Sequence, residues 1–397
     1  MKRILHVTAS INPLFGGVSQ AIVTMTKVLS GCEMENEVLC LDDPQSEFLK
    51  LRTSITYALG PGKSAWCYSH KLIPWLKTNI HNYDVVIVHG LWLYHSYAIE
   101  KILYKERRQK NKSLKILIMP HGMLDPYFQK TRRRKLKAIR NFFYWKLLEN
   151  KAVNNADGIL YTSGEELRLA YQSFKPFYPR KDHVVGLGVE EPPAFLPYMT
   201  TAFLNKCPYL DNERYFLFLS RIDPKKGVDI LIEAYRQILQ QYKNVIGGIP
   251  KLVIAGPGLD SGYGKQMMEV VEQDKDLERS VFFPGMLSGD VKWGAFYGCQ
   301  AFILPSHQEN FGIAVVESLA CARPVLISDK INIWRDIVDK GAGIVADDSL
   351  EGTLSLFKKW FQLSGLQKQS MSINGREAYE TKFALEPVRK KLAEAVS

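Results

Sequence analysis

Short apolar runs and amphipathic stretches alternate along this chain almost from end to end. Such alternation is typical of an α/β fold, in which helices cover both faces of a parallel β-sheet. In the first half, the apolar runs predict strands at residues 4–8, 37–41, 55–59, 85–89, 116–119, 158–161 and 184–187. In the second half they predict strands at residues 215–220, 252–255, 281–284, 301–304 and 325–327.

The alternation breaks at the proline-rich residues 190–197 and resumes with the strand that starts at Tyr215. This break predicts a linker near residues 188–212. A chain of 397 residues is also long for one hydrophobic core. We therefore predict one domain at residues 1–190 and a second at 191–375, followed by a C-terminal helical segment at 376–397.

One stretch of the second domain combines a strand, a loop, a helix and a further strand. Residues 311–320 have helical periodicity, and Pro324 ends the helix before the next apolar run. The loop places the backbone N–H groups of Phe311, Gly312 and Ile313 at a helix N-terminus. Such a terminus favours an anion, and the glycine lets a phosphate approach the backbone closely.

Two carboxylates flank this helix start, Glu309 in the loop and Glu317 on the helix. Their spacing lets both face one cleft at different depths, where they can accept hydrogen bonds from the hydroxyls of a sugar nucleotide. In the plainer alternative, Glu309 only caps the helix and Glu317 is a solvated helix residue.

The sequence Asn310-Phe-Gly, together with Ala-Cys-Ala-Arg-Pro-Val at residues 320–325, closely resembles the nucleotide-sugar signature of retaining GT-B glycosyltransferases, in particular family 4 (group 1). The resemblance covers most of the chain and is strongest at residues 215–345. It implies two Rossmann-like domains facing across a cleft. The first would bind the acceptor, the second would bind the nucleotide sugar, and the last helix would return to the first domain.

The resemblance also assigns roles to this segment. Glu317 would accept hydrogen bonds from the ribose and Glu309 from the donor sugar. The backbone amides that follow Asn310 would bind the distal phosphate.

Arg221 and Lys226 follow one predicted strand and precede a helix, so their cations can converge on a diphosphate near that turn. A solvated basic loop is the alternative, and it is the better interpretation for Lys225. The spacing of Arg221 and Lys226 fits the family pattern Arg-x-x-x-x-Lys-Gly.

Three further positions are assigned to the donor site by the resemblance. Gly256 lies in a glycine turn after the strand at 252–255, below the nucleotide, although Pro257 departs from the commonest form of that turn. Met286 and Leu287 occupy the place where the family usually holds the base.

In the first domain, the first strand leads into Gly16 and Gly17. A Gly-Gly pair is often only a turn, and the G-x-G-x-x-G spacing of a dinucleotide site is absent. In the family this loop approaches the donor sugar and its phosphate.

His89 and His121 each follow a strand, where ligands bind in open parallel sheets. Either could instead be structural, but the sequence Pro-His-Gly-Met resembles the family's active-site segment, which favours His121 and leaves His89 as part of the wall.

The chain carries a net charge of +11, and the excess lies in its first half, where residues 1–190 hold 28 Lys and Arg against 16 Asp and Glu. Such asymmetry suggests an acidic partner. Many of these cations lie at residues 130–148, which predict an amphipathic basic helix with an apolar stripe of Leu136, Ile139, Phe143 and Leu147. The helix could bind an anionic membrane surface. In the alternative, the stripe packs into the core and the charges are solvated.

No stretch approaches the ~18 apolar residues that span a bilayer, and the N-terminal residues predict a strand. We therefore expect a cytoplasmic protein. If the basic helix binds lipid, the protein would be peripheral at the inner face of the plasma membrane. The six cysteines form no Cys-x-x-Cys pair, and the Asp-Asp pairs at 42–43 and 347–348 make no convincing metal site. We predict no metal and no cofactor.

The resemblance implies a retaining transfer of a hexose, glucose in our interpretation, from a UDP-sugar to a saccharide or lipid-linked saccharide in polysaccharide biosynthesis. The predicted catalytic residues are His121, Glu309, Arg221 and Lys226. One alternative is a nucleotide-sugar epimerase or hydrolase of similar fold, which the Glu309–Glu317 segment disfavours. The other alternative is a non-enzymatic basic protein that binds polysaccharide or nucleic acid. It would leave the motifs of the second half unexplained. Because aromatic stacking motifs are also missing, no nucleic-acid partner is predicted.

Overall fold

The computed structural model describes residues 1–50, 54–109, 114–130, 135–210, 213–242 and 248–397. The chain divides into two compact units. One comprises Met1–Gly188 together with Leu385–Ser397, and the other comprises Val189–Ala384. Each unit is built on a parallel β-sheet.

The sheet of the first unit has seven strands in the order β3-β2-β1-β4-β5-β6-β7. These are β1 (Lys2–Val7), β2 (Met34–Cys40), β3 (Ile55–Ala58), β4 (Val85–His89), β5 (Lys115–Met119), β6 (Gly158–Tyr161) and β7 (Asp182–Val184). The α-helices that connect them are α1 (Gly17–Ser30), α2 (Glu47–Lys50), α3 (Leu72–Asn79), α4 (Tyr94–Gln109), α5 (Tyr127–Lys130), α6 (Lys135–Tyr144), α7 (Asn150–Asn155) and α8 (Gly164–Ala170).

The sheet of the second unit has six strands in the order β10-β9-β8-β11-β12-β13. These are β8 (Tyr215–Leu219), β9 (Lys251–Ala255), β10 (Val281–Gly285), β11 (Ala301–Leu304), β12 (Val325–Ser328) and β13 (Gly343–Ala346). Its helices are α9 (Pro197–Lys206), α10 (Val228–Gln241), α11 (Gly262–Glu272), α12 (Lys275–Glu278), α13 (Gly289–Gly298), α14 (Ile313–Ala320), α15 (Trp334–Lys340), α16 (Leu350–Gln362) and α17 (Gly365–Ala378). The last helix, α18 (Leu385–Val396), belongs to the first unit.

Both faces of each sheet are covered, which is why the strands are continuous apolar runs. β4 is buried at every residue. Its alternate side chains enter two separate cores: Val86 and Val88 pack in one, and Val85 and Ile87 in the other. The second of these cores also contains residues of α18. The predicted fold class, two Rossmann-like α/β domains, is confirmed.

Two predicted boundaries are wrong. The strand expected at 184–187 is β7, Asp182–Val184. It ends early because Val185 and Gly186 both donate their N–H groups to the carbonyl of Tyr161, and Gly186 has a left-handed backbone. The expected linker at 188–212 contains α9, which packs so closely on α13 that a Cβ at Gly294 would lie 2.0 Å from the Met199 carbonyl oxygen.

The C-terminal helical segment predicted at 376–397 is interrupted. A π-helical turn at Tyr379–Phe383 follows α17, and Ala384 is extended before α18 begins. Residues 376–384 therefore fall in the second unit, where Ala384 pairs with Val189. No helix in the described ranges is both long enough and apolar enough to span a bilayer.

Candidate functional site

The strand order of the second sheet reverses between β8 and β11, and the loops that follow these two strands lie side by side. Ligands in open α/β sheets bind at such a switch point. The loops are joined by hydrogen bonds to the Lys225 carbonyl from the His307 N–H (2.8 Å) and the Ser306 hydroxyl (3.1 Å). Gly227 approaches so closely that a Cβ there would lie 2.3 Å from the Pro305 carbonyl oxygen. The turn that carries Lys226 is thereby fixed against the loop that carries Glu309.

Lys226 and Glu309 form an ion pair through Nζ and Oε2 at this junction. The Lys226 side chain is 6% exposed, and burial lowers the pKa of its ammonium. The cations of Lys225 and Arg221 lower this pKa further, whereas the carboxylate of Asp223 raises it. The charges of Lys226 and Glu309 neutralise each other. A ligand that binds one of these two side chains must therefore either contact the intact ion pair or break it.

The backbone of Glu309 is held on both sides. Its N–H donates to the Lys330 carbonyl (2.9 Å), and its carbonyl accepts from the Asn332 N–H (3.0 Å). The Asn332 side chain also donates to Asn310 Oδ1 (3.4 Å). The backbone at Glu309 is therefore held by β-type pairing, and its side chain does not cap the helix that follows.

The helix that follows starts two residues later than predicted. Gly312 has a left-handed backbone (φ 81°) and is the N-cap of α14, without a side-chain cap. Phe311 lies before the helix, is buried, and packs edge-on against Phe383. The first N–H groups of a helix have no acceptor within it, so the N-terminus at Ile313 remains suited to an anion.

Glu317 lies on α14 and forms an ion pair with Lys292 of α13, with 2.9 Å between Nζ and Oε1. The same ammonium lies 4.0 Å from the centre of the Trp293 ring. Sequence reasoning missed Lys292. No local pattern points to it, because the packing of two separate helices brings it to Glu317.

Arg221 is exposed and lines a cavity of about 390 Å³ together with Asp223, Gly258 and Tyr263. Beside this cavity, Gly256 has φ 138°, and a Cβ there would lie 1.8 Å from the Ser220 carbonyl oxygen. Only glycine fits that turn.

The two residues assigned to the base differ in accessibility. Met286 is 66% exposed, whereas Leu287 is 5% exposed. Met286 can therefore offer its side chain to a ligand, while Leu287 can offer mainly its backbone.

In the first unit, Gly16 is the N-cap of α1, and a Cβ built at Gly16 or Gly17 would meet nothing within 4 Å. The loop before them is held by Asp42, which accepts hydrogen bonds from the Ser10 hydroxyl and the Ile11 N–H. A ligand can therefore approach the backbone of these glycines closely.

His121 follows β5, and its Nε2 lies 3.0 Å from Nδ1 of His89. His89 Nε2 in turn lies 3.0 Å from Nδ1 of His6. Burial lowers the pKa of His121 to about 4 and that of His89 well below its usual value. Sequence reasoning did not identify His6, since a histidine inside an apolar strand gives no signal of a partner on the neighbouring strand, β4.

The apolar stripe of the basic helix points to solvent. Leu136 is 84% exposed, and Ile139, Phe143 and Leu147 are each more than half exposed. Trp145, at the start of a π-helical turn (Trp145–Glu149), is the buried residue instead. The alternative in which the stripe packs into the core is therefore wrong for these four residues. Residues 131–134 of the predicted basic segment lie outside the described residues.

Within the described ranges, no group of three or more His, Cys, Asp or Glu side chains is arranged to hold a metal ion. The charged groups identified at the second sheet are the Lys226–Glu309 and Lys292–Glu317 pairs and Arg221. With the N-terminus of α14, they can bind phosphates and sugar hydroxyls.

Two family models match this chain. The model for group 1 glycosyl transferases matches residues 203–377, and the model for glycosyltransferase family 4 matches residues 15–191. The first match contains Arg221, Lys226, Glu309 and Glu317.

Curated relatives match parts of the chain. The alpha-1,3/1,6-mannosyltransferase ALG2 of Dictyostelium discoideum is 25% identical over 193 residues, which are 46% of this chain and 45% of that protein. The alpha-monoglucosyldiacylglycerol synthase of Streptococcus pneumoniae is 26% identical over 215 residues, 53% of this chain and 46% of that protein. The match thus spans less than half the length of these relatives.

Solved structures match the whole chain. Anabaena Alr3699/HepE in complex with UDP and glucose superposes with a TM-score of 0.75 at 15% identity, covering 100% of this chain and 99% of that one. A glycosyltransferase from Rickettsia africae gives a TM-score of 0.76 at 15% identity, covering 100% of this chain and 97% of that one. At such identities the likeness concerns the fold.

Proposed function

The chain belongs to the group 1 glycosyltransferases of GT-B fold, and on this premise we propose that it transfers a hexose, glucose, from a UDP-sugar to a saccharide acceptor with retention of configuration. The choice of sugar and base is supported by the glucosyl-transferring relative and by the similar structure that holds UDP and glucose. The acceptor we propose is a growing saccharide, free or lipid-linked, in polysaccharide biosynthesis.

The observation that carries this proposal is the grouping at the switch point of the second sheet. Lys226 and Glu309 are in contact there, and the N-terminus of α14 follows three residues beyond Glu309. A cation, a hydroxyl acceptor and a helix terminus in one place suit the sugar diphosphate part of a donor.

We assign the remaining donor contacts to neighbouring elements. Arg221 would bind the diphosphate, with the Gly256 turn beneath it, and Glu317 would accept from the ribose after releasing Lys292. Met286 and the backbone of Leu287 would hold the base.

The main catalytic task is to stabilise the charge that develops on the nucleoside diphosphate as the glycosidic bond breaks. Arg221, Lys226 and the dipole of α14 supply positive potential for this, so we propose that no divalent ion is required. Transfer should persist in EDTA. Complete loss on chelation, restored by Mn²⁺ or Mg²⁺, would contradict this assignment.

We further propose that the protein works at an anionic membrane surface, on its cytoplasmic side. The support is α6, whose exposed apolar side chains lie beside the cations Lys137, Arg140 and Lys146. An enzyme that modifies a lipid-linked saccharide needs such a surface.

The donor assignment is tested by thermal unfolding with a panel of nucleotide sugars. A donor at 100 times its Kd adds about 2.7 kcal/mol of stability, so the true donor should raise Tm more than its competitors. The shift should vanish in Lys226→Ala and persist in Lys225→Ala, the matched control in the same turn. Equal shifts in both variants would contradict the site.

Transfer itself is followed by NMR of the product in the presence of saccharide acceptors. An α-linked product from an α-linked donor supports retention, and a β-linked product contradicts it. Free sugar, formed at the same rate without acceptor, would instead favour the hydrolase alternative.

A further inference from the structure

Four side chains form a continuous line of hydrogen bonds across the first sheet. Asn36 on β2 is followed by His6 on β1, His89 at the end of β4, and His121 just after β5, which are neighbours in the sheet. The contacts are Asn36 Oδ1 to His6 Nε2 at 3.1 Å, His6 Nδ1 to His89 Nε2 at 3.0 Å, and His89 Nδ1 to His121 Nε2 at 3.0 Å. The line ends at His121, which is assigned to the active site above.

The direction of these bonds is fixed at Asn36. Its Nδ2 donates to the Met34 carbonyl (2.9 Å) and faces the Ser30 hydroxyl oxygen (3.4 Å). That hydroxyl already donates to the Thr26 carbonyl (2.8 Å). A flipped amide would set its oxygen against the Met34 carbonyl oxygen, so Oδ1 must be the atom that faces His6 and accepts from it.

From this anchor the tautomers follow one after another. Burial lowers the pKa of His6 and of His121 to about 4 and that of His89 well below its usual value, so near neutral pH each ring carries one proton. If Nε2 of His6 donates to Asn36, its Nδ1 must accept from His89. Nδ1 of His89 must then accept from His121, which leaves Nδ1 of His121 without a proton.

His121 is also held rigidly at the end of this line. Its backbone is left-handed (φ 53°), an unusual state for a residue with a side chain. The next residue, Gly122, donates its N–H to Glu166, whose carboxylate also accepts from the N–H and hydroxyl of Thr162. Among the described residues, no hydrogen-bond partner of His121 Nδ1 is found, and the side chain is partly exposed.

We propose that Asn36, His6 and His89 are positioning residues that fix His121 in the Nε2–H tautomer, so that its Nδ1 accepts a hydrogen bond from a sugar hydroxyl during transfer. The tautomer stands on the geometry of the first unit alone. The hydroxyl partner rests on the proposed function.

The tautomer is measured by two-bond ¹H–¹⁵N NMR on protein labelled at histidine, without substrate, with His→Gln variants for assignment. In the wild type, His6, His89 and His121 should all carry the proton on Nε2. Asn36→Leu removes the anchor at similar volume, and His121 should then populate both tautomers. His89→Phe keeps a ring without nitrogens and should have the same effect on His121. His183→Gln, outside the line, should leave the tautomer of His121 unchanged.

Kinetics supply the second measurement. Loss of one neutral hydrogen bond should lower kcat of Asn36→Leu and His89→Phe about 2- to 12-fold, while the Kd for UDP, which lacks the sugar, stays unchanged. His183→Gln should retain wild-type kcat. Circular dichroism confirms that each variant is folded, and the NMR result of either variant suffices if the other does not fold.

Three results would overturn the proposal. A wild-type His121 protonated at Nδ1 contradicts the proposed line of hydrogen bonds, and so does an Nε2–H tautomer of His121 that survives Asn36→Leu. An altered tautomer with unchanged kcat contradicts the hydroxyl contact. Absence of transfer by the wild type, by contrast, would count against the proposed function, because the tautomer is observed independently of it.

Discussion

At the scale of single residues, the second unit pairs its charges with each other. Lys226 contacts Glu309, and Lys292 contacts Glu317. A paired, partly buried charge keeps a defined position, which a donor can use without first ordering a long side chain. The substitutions that follow are designed around these pairs.

Arg221→Ala and Lys226→Ala should each lower kcat/KM for the donor roughly 10- to 1000-fold, because the leaving diphosphate loses a paired cation. Lys226→Ala also leaves the Glu309 carboxylate partly buried without its partner. Lys225→Ala should stay within a few-fold of the wild type. The measurement is steady-state kinetics with varied donor, and wild-type values for both variants would refute the diphosphate assignment.

Glu309→Gln and Glu317→Gln should impair transfer through different parts of the donor. UDP carries the ribose but not the sugar, so its Ki as a competitive inhibitor should rise for the Glu317 variant and change little for the Glu309 variant. Lys292→Met serves as a comparison, because it frees Glu317 without removing the carboxylate. If only the Glu309 variant loses affinity for UDP, the two assignments must be exchanged.

The identity of these residues could be predicted from the sequence, but their partners could not. Arg221, Lys226, Glu309 and Glu317 stand next to predicted strands and helices, so local pattern and family spacing suffice to select them. Lys226 and Glu309, by contrast, meet only because β8 and β11 are neighbours in the sheet. The same holds for the histidine line of the first unit.

At the scale of secondary structure, central strands were the most predictable elements. Runs such as 85–89 and 301–304 agree with β4 and β11 because both faces of those strands are buried. The strand β13 was missed. It is short, begins at Gly343, and only one of its four residues, Ile344, is buried. The helix α9 was missed because a proline can either interrupt secondary structure or occupy the first turn of a helix. Pro197 lies in the first turn of α9.

The amphipathic pattern of α6 predicted a helix but left open which face is buried. Its apolar face is exposed, and we expect it to bind anionic membranes. Each basic residue near an anionic leaflet contributes about 1 kcal/mol, so Lys137, Arg140 and Lys146 together should strengthen binding roughly 100-fold. Liposome flotation at low salt should show binding to anionic vesicles that weakens as salt rises.

Changing these three cations to Gln, or Leu136, Ile139 and Phe143 to Ser, should reduce flotation strongly. The matched control replaces three exposed lysines elsewhere in the first unit, Lys63, Lys71 and Lys77, and should bind as the wild type does. Equal binding to neutral vesicles, or equal loss in the control, would mean that α6 is not the membrane surface.

Glu149 ends the π-helical turn after α6 and should oppose stability at neutral pH. Its carboxyl group is 1% exposed, and burial raises its pKa to about 8. Because the unfolded chain releases this proton near pH 4.5, stability is lost as pH rises from about 4.5 to 8. Glu149→Gln should therefore match the wild type near pH 5 and exceed it by about 1 to 3 kcal/mol at pH 8. Urea unfolding at both pH values tests this, and equal stability at pH 8 would contradict it.

At the scale of the whole molecule, the two units have the same kind of sheet but different charge chemistry. In the first, burial lowers the pKa values of five histidines: His183 and the four more deeply buried rings of His6, His89, His95 and His121. In the second, Asp348 raises the pKa of His307. The units should therefore respond in opposite ways to mild acid.

The direction of this pH effect follows from whether the folded or the unfolded state binds more protons. The unfolded chain protonates its histidines near pH 6.5, whereas the four buried ones in the first unit resist protonation down to about pH 4 or below. Their contribution to stability is complete above pH 6.5 and is lost as the pH falls through this window. Glu149 and Glu100 have raised pKa values and act in the other direction, but they are fewer.

We therefore expect the first unit to lose stability before the second when the pH falls from 7 to 4.5. Each histidine that must be protonated on unfolding contributes a slope of about 1.4 kcal/mol per pH unit, so several together outweigh the two opposing carboxyl groups. Hydrogen exchange, corrected for the intrinsic rate at each pH, should show β1, β4 and β5 losing protection while β8 and β11 keep it. His95→Phe removes one of these protons from a histidine outside the hydrogen-bonded line and should delay the loss. If the strands of the second unit lost protection first, the buried histidines would not be what limits the protein's stability in acid.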